Sequence, residues 1–148
     1  MTQSYIGTKQ VTAWVEEKDG KSGYAVKYAD GYISWSPKDV FEAAYLPMGE
    51  KNDGSKITQE MVDGFVLRTT ASKMGEKNTV VCAVLRNGFE IVESSSCVDV
   101  KNFSMDIGVK ICMERIKNKV WHLLGFMLQQ ARSGLVVPSD EAVDSCQK

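Results

Sequence analysis

The run from Asn102 to Arg132, NFSMDIGVKICMERIKNKVWHLLGFMLQQAR, constrains this chain more than any other part of it. It holds no proline and is closed by Ser133-Gly134, so nothing inside it breaks a helix and a glycine stands where one would end. Met105, Val109, Met113, Ile116, Val120, Leu123 and Met127 recur at spacings of three and four, which sets them on one helical face. A helix over this span is roughly 45 Å long at about 1.5 Å per residue, longer than one small domain usually needs. Phe103, Ile107, Ile111, Trp121 and Leu128 form a second apolar strip. Two strips suit a helix with the chain's own sheet on one side and a partner subunit on the other. They suit equally a single domain wrapped around the helix.

The other elements are short. Residues 1–46 read as a compact β-hairpin unit with a short helix. Val11–Val15 is extended, Asp19-Gly20 offers a turn, and Tyr24–Tyr28 pairs back through Asp30-Gly31 with Tyr32–Trp35. Ser36-Pro37-Lys38-Asp39 opens a helix, with Ser36 as the expected cap and proline at the first helical position. Tyr24, Tyr28, Tyr32 and Trp35 suit cross-strand packing of a tiny sheet, or stacking on a nucleobase.

Residues 47–56 are polar and turn-rich, as a linker is. The core domain is expected over 57–134. There Thr58-Gln59-Glu60-Met61 starts a helix that stops near Gly64, and 69–78, with few apolar residues, reads as a loop. Thr79–Leu85 is rich in β-branched residues, Asn87-Gly88 is a hairpin signal and Phe89–Val92 returns. The continuous VVCAVL run predicts a strand covered on both faces. Asn102 or Ser104 caps the long helix, and 135–148 reads as a flexible tail. The fold class is α+β: small antiparallel β-hairpins packed on a long C-terminal helix, beside the N-terminal hairpin unit.

Composition excludes several functions. A formal charge of −1 provides no broad basic field, which argues against capture of polymeric nucleic acid. The four cysteines (Cys82, Cys97, Cys112, Cys146) are scattered and the chain has one histidine, so no metal site is expected. No signal peptide or membrane span is read in the chain, and scattered thiols fit a cytoplasmic protein.

Enzyme signatures are missing too: no Gly-rich phosphate loop, no zinc-protease helix and no nucleophile elbow. Glu90 and Glu93 fall on opposite faces of a strand and make a poor acid/base pair. No catalytic residue and no cofactor are expected. His122 suits a structural or ligand-contacting role better than general-base catalysis.

The informative set lies on the long helix. Arg115, Lys119, His122 and Phe126 follow one another at 4, 3 and 4, forming one stripe that the small residues Gly108 and Cys112 extend toward the N-terminus. Two cations and aromatic rings can floor an anion site, cations for phosphate and rings for a base. A plain solvated face gives the same pattern. The helix start near Asn102 offers backbone N–H groups to a phosphate. Arg86, Asn87 and Phe89, at the hairpin tip, either contact a ligand or simply make a tight turn.

ITQEMVDGFV, LRNGFEIVESSSCVDVKNF, MDIGVKI and ERIKNKVWHLLGF together resemble a widespread family of small phage proteins. The N-terminal YIGTKQV and GYAVKYADGYISWSPKDVFEAAY are similar to a module at the front of many such proteins. That family includes the anti-Thoeris sponges, anti-defence proteins that hold cyclic ADP-ribose signals, and in some members cyclic oligonucleotides, without cleaving them. The resemblance implies a non-enzymatic cyclic-nucleotide binder in the infected host cytoplasm, a homodimer or higher homo-oligomer with ligand sites at subunit boundaries. It adds Asn87, Phe89 and Asn102 as candidate ligand contacts through the pattern NGF…CV…NF. The rival expectation is a phage adaptor that binds a host protein through an exposed apolar face.

Overall fold

The computed structural model describes residues 1–139; of the expected tail, residues 135–139 adopt no regular secondary structure and residues 140–148 lie outside the described residues. The chain divides into two units: residues 1–46 with the segment from Phe126 onward, and residues 47–125.

In the first unit, β1 (Thr12–Val15), β2 (Gly23–Lys27) and β3 (Ile33–Pro37) form an antiparallel sheet in that order, followed by α1 (Lys38–Ala44). Asp19 and Gly20 both take positive φ, 52° and 75°, the turn geometry that matches the twist of paired strands. The aromatics are largely spent on packing. The Tyr24 and Phe41 rings stack at 4.3 Å and Phe41 and Tyr45 at 4.8 Å. The Trp35 indole lies over Gly23, where a Cβ would come within 2.4 Å of the ring, and its Nε1 donates to the Glu16 carbonyl at 2.8 Å. Helix α1 begins one residue later than expected. Ser36 pairs with Tyr24 in the sheet, so it cannot cap, and Pro37 occupies the N-cap without a side-chain bond.

The second unit opens with α2 (Gln59–Phe65), capped by Thr58, whose side chain accepts from the Met61 N–H at 3.3 Å. There follow β4 (Val66–Met74), β5 (Asn78–Leu85) and β6 (Glu90–Ser96), a turn of 3-10 helix (Val100–Asn102) and α3 (Met105–Ser133), of which the part up to Gly125 belongs to this unit. The sheet order is β4-β5-β6, all antiparallel.

Strand β4 stands where a loop was expected. Its residues from Leu67 to Met74 are all exposed, so no face needed apolar side chains and the alternation that marks a strand never appeared. β5 also differs from expectation, because it is buried on one face only. Thr79, Val81, Ala83 and Leu85 are buried, while Val80, Cys82 and Val84 are half-buried.

The core of this unit joins that inner face of β5 and Ile91 of β6 to Met61 and Val62 of α2 and to one ridge of α3: Gly108, Cys112, Ile116, Val120 and Leu124. The spacing of four is the ridge that helices most often press into a neighbour. The expected face was therefore misplaced. Ile116 and Val120 belong to it, Met105, Val109 and Met113 flank it half-buried, and Leu123 and Met127 are exposed. Gly108 and Cys112 were assigned to the outer stripe, yet they sit under the sheet. A Cβ on Gly108 would lie 2.1 Å from Thr79 Oγ1, so only glycine lets the helix approach β5 this closely. Burial pushes the Cys112 thiol pKa up, with nearby Arg115 and Glu93 acting in opposite directions.

Ser104 caps α3: its hydroxyl accepts from the Ile107 N–H at 3.3 Å and its carbonyl from the Gly108 N–H at 3.0 Å. Asn102 is in the 3-10 turn before it, and its N–H is already bonded to the Asp99 carbonyl at 2.9 Å. At the far end Gly134, with φ 62°, closes the helix by donating to the Gln130 carbonyl.

Candidate functional site

β6 is an edge strand, and α3 passes beside its free edge. Between them runs a solvent-open groove of about 490 Å3, lined by Phe89, Glu90, Ile91 and Val92 from the strand side and by Asn118, Lys119, His122 and Leu123 from the helix. That volume is within the range of small-molecule sites.

Two cations are drawn to this edge. Arg115 Nη1 donates to the Ser94 carbonyl at 2.6 Å, occupying a backbone acceptor of the edge strand. Lys119 pairs with Glu93, and their side chains are 57% and 15% exposed. Glu93 is thus mostly covered, and the ammonium it holds remains open to solvent on its other side. An ammonium has three N–H donors and a guanidinium five, so both cations retain donors for a ligand.

The hairpin tip explains the position of Phe89. Gly88 takes φ 86°, Leu85 N–H donates to the Phe89 carbonyl at 2.8 Å, and Phe89 N–H donates to Asn87 Oδ1 at 3.1 Å. Asn87 is therefore a turn-forming side chain that aims Phe89, and Phe89 is left 58% exposed at the mouth of the groove.

Of the candidates read from the sequence, the fold gathers Phe89, Lys119 and His122 on one groove and sets Arg115 one helical turn before Lys119 on the same side. Phe126 is the next step of the same stripe, 73% exposed. Asn102 is not gathered: it follows β6, whose other end carries Phe89 and the groove. Asn87 reaches the site through the turn it builds. Glu93, Asn118 and Leu123 were not singled out as ligand contacts. The signal for Glu93 was present in the alternation of β6, since Ile91, Glu93 and Ser95 share the face that turns toward the helix. The groove offers no metal cage, and among the described residues no three His, Cys, Asp or Glu side chains cluster for one. No helix of the described residues is long and apolar enough to cross a membrane.

Residues 57–132, which include α2, the three strands and nearly all of α3, match the phage protein (N4 Gp49/phage Sf6 gene 66) family. The chain belongs to that family. No curated protein and no solved structure matches it. The family match spans both walls of the groove, Phe89–Val92 and Asn118–Leu123, and leaves out the first unit's sheet.

Proposed function

We propose that this phage-family protein is an anti-defence sponge, which binds a cyclic nucleotide immune signal in the infected host cytoplasm and sequesters it without cleaving it. Cyclic ADP-ribose isomers are the leading ligands and cyclic oligonucleotides the second class. The observation that carries the reading is the convergence of Phe89 and His122 with Lys119, beside Arg115, on one open groove. Rings stack a base and cations bond a phosphate. Tight retention requires no acid/base pair, and the groove presents its cations as binding groups. In this reading protomers assemble as a homodimer or higher homo-oligomer, and the exposed Phe126 stacks on ligand or on a neighbouring copy.

The test is a thermal-shift screen of purified protein against cyclic ADP-ribose isomers and cyclic di- and trinucleotides, followed by calorimetry. A ligand at about a hundred times its dissociation constant adds about 2.7 kcal/mol of stability. Arg115→Ala and Lys119→Ala each weaken the ligand by about 1.5–3 kcal/mol if they bond its phosphate. A flat panel on folded protein removes the sponge reading.

A host-protein adaptor is the second reading, favoured by one observation: Ile107, 61% exposed, and Phe126 are large apolar side chains open to solvent on α3. It expects a specific host protein retained by wild type and lost in Phe126→Ser.

A further inference from the structure

The cations of the groove do not stand alone. Lys119 is paired with Glu93, and Arg115 donates to the carbonyl of Ser94, the residue after Glu93, at 2.6 Å, so the three charged groups are neighbours. Glu93 cancels one of the two positive charges that Arg115 and Lys119 bring. Glu90 adds a further carboxylate to the groove lining. A site evolved to trap bare phosphate would leave its cations uncompensated, because each nearby carboxylate repels the ligand and occupies an N–H donor.

Glu93 does not itself line the groove; it lies on the helix-facing side of β6 and borders the groove through its ion pair with the groove-lining Lys119. The contacts of its carboxylate among the described residues use Oε1, on Lys119. The Glu93 side chain keeps 15% of its surface open to solvent. An ionised carboxylate is acceptor-only, with room for several hydrogen bonds. Such an acceptor beside phosphate-binding groups pairs with a sugar hydroxyl, as an acidic residue does with ribose in dinucleotide sites.

We infer that Glu93 is a specificity-determining ligand contact: it accepts a hydroxyl of a ribose whose phosphate is held by Lys119 and Arg115, and so makes the groove select a ribosyl phosphate over bare phosphate. This rests on the sponge reading and narrows it to ligands that carry a ribose hydroxyl next to a phosphate. Two simpler roles for Glu93 predict other outcomes. A carboxylate that merely orients Lys119 supports every anion alike. One that merely competes for Lys119 opposes every anion alike.

The experiment compares wild type, Glu93→Gln and Lys119→Ala by calorimetry against two probes, the cyclic ADP-ribose isomer that stabilises wild type most and inorganic pyrophosphate. Glutamine keeps the shape of the side chain, removes the charge and is a weaker hydroxyl acceptor. The expected result is a crossing: Glu93→Gln weakens the cyclic ADP-ribose isomer by roughly tenfold or more, the size of one charge-assisted hydrogen bond, and tightens pyrophosphate. Lys119→Ala weakens both. If Glu93→Gln moves the two probes in the same direction, or leaves the nucleotide unchanged, the inference fails while the sponge reading stands. If neither probe binds wild type, both fail. A thermal melt of Glu93→Gln without ligand confirms that a loss of binding is not a loss of folding.

Discussion

Two glycines of α3 give opposite predictions for the same substitution. At Gly108 an added Cβ would lie 2.1 Å from Thr79 Oγ1 and 2.6 Å from Thr79 Cβ. Helix and strand must separate, and that strains the ridge through Cys112 and Ile116. Overpacking of a well-packed core costs about 1–3 kcal/mol, and clashes with both a hydroxyl and a Cβ place this site at the upper end. Alanine's better helix propensity returns about 1 kcal/mol. The net expectation for Gly108→Ala is a loss of about 2 kcal/mol, or a fall in Tm of roughly 4–8 °C for a chain of this size. At Gly125 an added Cβ meets nothing within 4 Å. Gly125→Ala therefore keeps the propensity gain of about 1 kcal/mol, and Tm rises by roughly 2–4 °C. Urea melts and calorimetric scans of both variants at one protein concentration read the two signs. Thr79→Ala removes the nearest clashing atom, so it partly rescues Gly108→Ala, and the double mutant is more stable than the sum of the singles. If Gly108→Ala is tolerated as well as Gly125→Ala, α3 does not approach β5 this closely.

Ile116→Ala removes a fully buried side chain at the centre of the ridge and is expected to cost about 2–5 kcal/mol in urea denaturation, whereas Ile107→Ala, on an exposed position of the same helix, costs under about 1 kcal/mol. Thr58→Ala removes the cap on α2 and lowers stability by about 0.5–2 kcal/mol, read in the same melts. Asp63 is held below the ordinary aspartate pKa first by its bond to Lys117, at 2.8 Å, and then by one from Gln59. Its folded pKa is depressed, so its contribution is present above the unfolded value and lost as pH falls through the folded one. Asp63→Asn is therefore slightly less stable than wild type at pH 7, and the difference disappears in acid; a difference that grows on acidification contradicts the pairing. Both partners are largely exposed, so added salt also shrinks the effect.

The α+β class was legible from local signals. Turns at Asp19-Gly20, Asp30-Gly31 and Asn87-Gly88 announce themselves because a positive φ restricts the residue type. A proline-free run of apolar residues at spacings of three and four announces α3. These are properties of the chain within a few residues, and sequence carries them directly. The stripe Arg115, Lys119, His122 was legible for the same reason, since helical periodicity alone sets those side chains on one side.

Contacts between distant segments decided the rest. Which of the neighbouring apolar rows of α3 is buried depends on what stands opposite, and the row chosen contains Gly108 and Cys112 because β5 comes closest there. Strand β4 was invisible because what makes it a strand is its pairing with β5, from Val66↔Leu85 to Met74↔Asn78, while its own exposed side chains carry no apolar period. Glu93 showed the same limit: its alternation placed it toward the helix, but its pairing with Lys119 arises from the docking of α3 beside β6. Sequence alone determined the elements other than β4, and the faces on which their charges lie. The tertiary structure decided which faces meet, because burial and ion pairing are energies of pairs and a single segment contains only one member of each.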